Sequence, residues 1–258
     1  MVTLSDSLAR LGAWPGDGMV EAGALGLSPS EATILQENGL IRLDRGPHTV
    51  RRAARAVVES ARPALVGETL AELDARFPTA TPLHVDLWPM DPDDAFGHQE
   101  LRGISGATGY DGSMTLVVCP DASPAVVRET VIHEFHHHLR MDRAGLDEKA
   151  ETLLTRLVLE GMAEHFVADV VGHTTAPWVP DGSATLSPDD GWAPFVSRLR
   201  APGSSAPAVR LLFGDPEAGL PRWAGYTVGW ALVERYRQAN PALTVVDLTV
   251  LADDVFVP

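Results

Sequence analysis

Residues 124–140 read PAVVRETVIHEFHHHLR, and within them His133-Glu134-Phe135-His136-His137 is an H-E-x-x-H motif. Ahead of it, Pro120-Asp121-Ala122-Ser123-Pro124 offers turn residues, a Ser or Asp cap and a proline at a first-turn position, which together predict a helix start. Val126, Val127, Thr130, Val131, His133, Glu134 and His137 follow at helical spacing. Positions i and i+4 share a helix face. His133 and His137 are therefore expected to turn imidazole nitrogens toward one metal ion, at roughly 2.0–2.1 Å for zinc. Glu134 stands beside the first ligand, where its carboxylate reaches an activated water without ligating the metal. The apolar stripe runs into the face of the motif, so that face points inward; a solvated polar helix would carry its charges opposite the stripe. His136 and His138 fall mostly on other faces and read as structural or solvent-facing.

A catalytic zinc usually has three protein ligands and an open position, so a third ligand must come from elsewhere. Asp147 to Val170 is a second helical pattern, with Leu153, Leu154, Leu157, Val158, Ala163, Phe166 and Val167 as its apolar positions. Glu160 and Glu164 fall into that stripe. A carboxylate on a buried face is costly unless paired, hydrogen-bonded or bound to a metal. From His137 to Glu160 there is chain enough for a turn of helix, a loop and a return. Glu160 is the expected third ligand. Glu164 is the competing ligand, and otherwise a partner for a ligand imidazole. His165 points about 100° away from Glu164 on a helix.

Three blocks resemble a known family. They are His133-Glu134-Phe135-His136-His137 with Leu139-Arg140; Glu151-Thr152-Leu153-Leu154 running into Leu159-Glu160-Gly161-Met162-Ala163-Glu164-His165-Phe166; and Leu212-Phe213-Gly214-Asp215 leading to Pro221-Arg222-Trp223-Ala224-Gly225-Tyr226-Thr227-Val228-Gly229. Over roughly residues 105–250 the chain resembles the zinc-dependent proteases grouped as a bacterial domain of unknown function in the gluzincin clan. The resemblance implies a zincin-like α+β domain with a small mixed sheet, a helix carrying H-E-x-x-H and a following helix carrying the Glu ligand. It also implies that the third ligand is the Glu of Glu-Gly-x-Ala, which is Glu160.

Tyr226 lies in a helix-like stretch with Trp223, Val228, Trp230, Leu232, Val233 and Tyr236. Amide hydrolysis builds negative charge on the former carbonyl oxygen, and a tyrosine hydroxyl opposite the metal would stabilise it. Tyr226 is the candidate donor. The other reading is a core tyrosine beside two glycines that permit close helix packing. Arg222 and Arg235 are weaker candidates for binding a substrate carboxylate. Thr115-Leu116-Val117-Val118-Cys119 reads as a strand after the glycine-rich Gly103 to Gly112 segment, with an edge to which an extended peptide could add. Cys119 reads as a small core residue and not a nucleophile.

Composition narrows the classes. A net charge of −15 disfavours nucleic acid and anionic membrane as partners, since both need a basic face. No apolar run is long enough to span a bilayer. One cysteine excludes an internal disulfide and fits a reducing compartment. Met1 to Trp14 shows no secretory signal pattern, and the cytoplasm is the expected location. Ser28-Pro29-Ser30-Glu31 reads as a helix start. Arg51 to Phe77 is amphipathic, with Pro63 dividing it into two helices. Pro82 to Trp88 alternates as a half-buried strand. Residues 172–207 read as a long loop with a short helix near Trp192–Leu199 that could shape the cleft. Residues 1–100 are thus expected to be a mostly helical region with one or two strands, and 101–258 a zincin-like metallopeptidase domain.

The expected function is hydrolysis of peptide bonds in a peptide or protein substrate. One zinc per chain would be held by His133, His137 and Glu160, with Glu134 as base and Tyr226 assisting. Two other classes stay open: a zinc hydrolase acting on a non-peptide amide or a dedicated peptide-derived metabolite, and a non-catalytic zinc-stabilised binding module. The intact Glu134 counts against the last, since a structural site needs no base.

Overall fold

The stretch Ser113–Val118 forms one of the two inner strands of a four-stranded sheet. The computed structural model describes residues 1–14, 21–25, 27, 28, 32, 33, 35, 36, 39–179 and 192–257. Its strands are β1 (Val2–Leu4), β2 (Leu83–Pro89), β3 (Ile104–Thr108) and β4 (Ser113–Val118), in the order β1-β2-β4-β3. β1 runs parallel to β2 and β2 parallel to β4, whereas β3 is antiparallel to β4. Strands from both sides of residue 100 therefore share one sheet. Strands buried on both faces read as continuous apolar runs, and Leu116, Val117 and Val118 are at most 2% exposed.

This topology corrects the expected peptide-binding edge. β4 is paired to β2 along Ser113–Val118 on one side and to β3 along Met114–Val118 on the other, so its backbone groups are already used. The cause is the turn at Gly109–Gly112. Gly109 N–H bonds to Ser113 O at 2.8 Å, and Gly112 has φ +82, a left-handed conformation that glycine adopts without steric cost. The turn folds β3 back alongside β4. Among the described residues β3 is the edge strand on that side.

Met1–Phe135 and His136–Pro258 form two compact units. In the first, α1 (Ser7–Gly12), α2 (Pro47–Glu59) and α3 (Arg62–Arg76) accompany the sheet, with the short α4 (Ala95–Gln99) after β2. The long amphipathic pattern divides as expected. Ser60 Oγ accepts the N–H of Arg62 at 3.2 Å, and Pro63 sits in the first turn of α3, where a missing N–H costs nothing. Of the helix start expected at Ser28–Glu31, positions 29–31 lie outside the described residues.

The motif helix, α5 (Pro124–Ala144), begins at the predicted proline. Arg128 Nη2 donates to Glu72 Oε2 of α3 at 2.6 Å. Residues 131–140 are buried on every face. His136 and His138 are therefore both interior, which selects the structural reading and removes the solvent-facing one; the His136 ring lies 5.1 Å from that of Phe166.

In the second unit, α6 (Leu153–Val171) starts later than the pattern from Asp147 suggested. Thr152 and Thr155 form a reciprocal cap, with Thr155 N–H on Thr152 Oγ1 at 3.2 Å and Thr152 N–H on Thr155 Oγ1 at 3.3 Å; residues 148–150 make only a 3-10 turn. Then follow α7 (Ala193–Val196), α8 (Ala206–Phe213), α9 (Ala224–Ala239) and α10 (Val245–Leu248). α7 is the short helix expected near Trp192; residues 180–191 of the long loop lie outside the described residues. Arg140 is fully buried. Its guanidinium donates to the carbonyls of Leu248 (3.3 Å), Thr249 (3.0 Å) and Leu251 (3.1 Å) and to Asp253 (2.6 Å). A buried charge needs such partners.

Candidate metal centre

His133 and His137 lie one helical turn apart on α5, each 8% exposed. Glu160, half-buried on α6, joins them: one ligand atom from each of the three lies within 4.8 Å of the other two. His137 Nε2 and Glu160 Oε2 are 3.5 Å apart. Two ligands held at about 2.1 Å from a tetrahedral centre stand about 3.4 Å apart, so this spacing suits zinc. An imidazolium–carboxylate pair would account for His137 and Glu160 alone. It gives no reason for a second imidazole to be brought to the same point. Two imidazoles and a carboxylate are also a donor set that zinc accepts. The residues present fit the ion.

Glu164 stands outside that cluster. Thr174 Oγ1 donates to its Oε2 at 2.7 Å and Trp178 Nε1 to its Oε1 at 3.1 Å. Both oxygens accept hydrogen bonds from the chain that follows α6, so Glu164 ties that segment to the helix. His165 points elsewhere, as expected. Its ring stacks on Trp230 at 3.6 Å between centroids, its Nε2–H donates to Trp230 O at 3.2 Å, and its Nδ1 accepts from Arg237 at 3.0 Å. Burial pulls its pKa down to about 3.

Glu134 is 6% exposed. Thr108 Oγ1, at the end of β3, donates to Glu134 Oε2 at 2.8 Å and lies 3.1 Å from the Glu134 carbonyl. The Glu134 side chain also packs closely against Gly106. A Cβ there would come 2.5 Å from Glu134 Cγ and 2.7 Å from Cδ and Oε1. Sequence reasoning missed both residues. The glycine-rich Gly103 to Gly112 segment was the signal, since a glycine inside a strand marks a close approach, but nothing in it says what approaches.

Tyr226 sits among aromatic rings. Centroid separations are 5.0 Å to Trp178, 5.2 Å to Trp223 and 6.0 Å to Phe213. The glycines around it serve helix packing. A Cβ on Gly225 would stand 2.6 Å from Leu212 Cα. One on Gly229 would strike the Leu157 carbonyl of α6, and one on Gly161 the Gly229 carbonyl. Gly-Tyr-x-x-Gly and Glu-Gly-x-Ala are thus two sides of one helix crossing. Arg235 donates to Phe256 O at 2.8 Å, which makes it a brace for the C-terminal turn. Cys119 is 2% exposed, and burial pushes its thiol up to about 12; it is a core residue, as expected.

These features define an α+β protein with a four-stranded mixed sheet and a candidate His-His-Glu metal centre on two successive long helices. The chain belongs to the family described as Predicted Zn-dependent protease (DUF2268), whose model matches residues 63–257. Two relatives come from Bacillus subtilis (strain 168). Uncharacterized protein YjaZ is 28% identical over 155 residues, 58% of each chain. Uncharacterized protein YjfC is 26% identical over 150 residues, 54% of this chain and 49% of its own. The chain thus spans about half the length of these curated relatives. No solved structure matches it. Among the described residues no helix is long and apolar enough to cross a membrane.

Proposed function

We propose that this chain is a zinc-dependent metallopeptidase of the gluzincin type that hydrolyses peptide bonds in peptide or protein substrates. The observation that carries the reading is the convergence of His133, His137 and Glu160 within 4.8 Å, with the buried Glu134 beside His133 on the same helix. Bound there, zinc would act as a Lewis acid on a carbonyl and bring the pKa of a water to about 7.

The chain's own residues have separate tasks. Glu134 accepts the proton of the attacking water and hands it to the departing amine. Burial of Glu134 strengthens its electrostatic interactions with a developing charge. Tyr226 donates its hydroxyl to the oxygen on which negative charge builds. The outer edge of β3 offers backbone N–H and C=O groups to an extended substrate, by strand addition. The −15 charge favours the approach of cationic peptides by long-range steering.

The test is Glu134→Gln on the zinc-loaded protein, assayed against a peptide library with zinc content measured in parallel. The expected result is unchanged zinc stoichiometry with hydrolysis lowered by at least about 100-fold. A Glu134→Gln protein that cleaves as fast as the wild type sinks the assignment of the base. A wild type that cleaves no peptide sinks the peptidase reading.

A further inference from the structure

The two oxygens of the Glu134 carboxylate are not equivalent. Oε2 accepts the Thr108 hydroxyl at 2.8 Å, whereas Oε1 has no hydrogen-bond donor among the described residues. The Thr108 hydroxyl also lies 3.1 Å from the Glu134 carbonyl, so one side chain braces the carboxylate against its own backbone. On the neighbouring position of the same strand face, Gly106 leaves room for the side chain to lie against β3; a Cβ there would come within 2.7 Å of Oε1 and Cδ. Residues i and i+2 of a strand point the same way, so Gly106 and Thr108 act from one face.

From this arrangement we infer that Thr108 is a positioning residue for Glu134. It occupies Oε2 and so leaves Oε1 as the atom that receives the proton. The inference rests on the peptidase reading only for what that proton does; the placement of the side chain stands apart from it. A glutamate has three rotatable bonds, and helix α5 by itself fixes none beyond the first. The β3 hydroxyl removes the remaining freedom. A general base must sit within hydrogen-bond reach of the proton it takes, so losing the brace should lower turnover more than substrate binding. Threonine suits the task because its hydroxyl lies one bond from Cβ, on a β-branched side chain stiff at χ1.

Thr108→Val keeps the shape and removes the donor, and Thr108→Ser restores the donor. Each is compared with the wild type, zinc-loaded, by steady-state kinetics, zinc affinity in a chelator competition, and a crystal structure. For Thr108→Val the expected result is a kcat lower by about 10- to 100-fold, the range for groups that orient a catalytic side chain, with KM changed less than about threefold and zinc affinity unchanged. In its crystal structure the Glu134 carboxylate leaves the site it holds in the wild type. Thr108→Ser should return kcat to within about threefold. A Glu134 carboxylate in the same place in wild type and Thr108→Val overturns the inference. So does a Thr108→Val protein that loses zinc affinity in step with kcat, because that marks a structural role. If the wild type cleaves no peptide, the peptidase reading fails while the two crystal structures still decide the positioning.

Discussion

At the residue scale, two glutamates on one helix stripe have opposite environments. Glu160 faces two imidazoles; Glu164 faces a hydroxyl and an indole N–H. Both were expected on the buried face of α6, with Glu160 the expected ligand and Glu164 its competitor. What separates them is their neighbours: two imidazoles that can ligate the same ion for Glu160, a hydroxyl and an indole N–H for Glu164. If Glu160 is a ligand, Glu160→Ala should abolish the zinc-dependent rise in melting temperature. Ligand linkage of about 2.7 kcal/mol at a hundredfold excess over Kd corresponds to roughly 5–10 °C for a chain of this size. Glu164→Ala should keep that rise while lowering the baseline, because Thr174 and Trp178 lose an acceptor. Equal loss of the zinc response in both variants, read by calorimetry with and without zinc, would remove the distinction.

At the element scale, α6 and α9 cross closely at Gly161, the residue next to Glu160. Gly161 and Gly229 allow backbone to approach backbone, and a methyl group at either would meet a carbonyl oxygen of the other helix. An alanine in place of a helical glycine ordinarily stabilises, by about 0.5–1 kcal/mol. Gly67 on α3 is such a position, since a Cβ there would meet only Leu4 Cδ1 at 3.8 Å. Urea unfolding should therefore give opposite signs: Gly67→Ala stabilising by up to about 1 kcal/mol, Gly229→Ala destabilising by about 1–3 kcal/mol through overpacking. Gly229→Ala should also weaken zinc binding, because it moves the helix that carries Glu160. A stabilising Gly229→Ala would mean that the helices do not cross here. The sheet shows the same dependence on tertiary arrangement. β4 was legible as a strand from its apolar run. That β3 and not β4 forms the edge follows from the reversal at Gly109–Gly112.

At the scale of the whole molecule, His165 couples stability to pH. It is neutral in the folded state, with Nδ1 accepting from Arg237 and Nε2–H donating to Trp230 O. Burial holds its pKa near 3, against 6.5 for a free histidine. Glu234 Oε2, 3.8 Å from Nδ1, favours the charged form, but its side chain is 41% exposed and screened by water. Below pH 6.5 the unfolded chain binds a proton that the folded chain refuses. The contribution is therefore complete above pH 6.5 and is lost as pH falls toward 3. Its slope approaches about 1.4 kcal/mol per pH unit. Urea denaturation of the metal-free protein between pH 7 and 4.5 measures it. The His165→Gln variant, less stable overall, should show a slope shallower by one proton. Identical slopes in the two proteins would exclude His165 as the source.

The motif helix, its proline start and the inward face of His133, Glu134 and His137 were determined by sequence alone, because they depend on a 3.6-residue period acting over a few positions. The division of α2 from α3 and the strand character of β2 and β4 were legible for the same local reason. Glu160 was already the expected third ligand from its place on the second helix, but its approach to within 4.8 Å of both histidines, and the engagement of Glu164 by Thr174 and Trp178, belong to the tertiary structure. The burial of His136 and His138 depends on neighbours on all sides of α5. Thr108 reaches Glu134 across 26 positions of chain, by way of strand register. Contacts between distant segments follow from how elements pack, and no periodicity within one element encodes them.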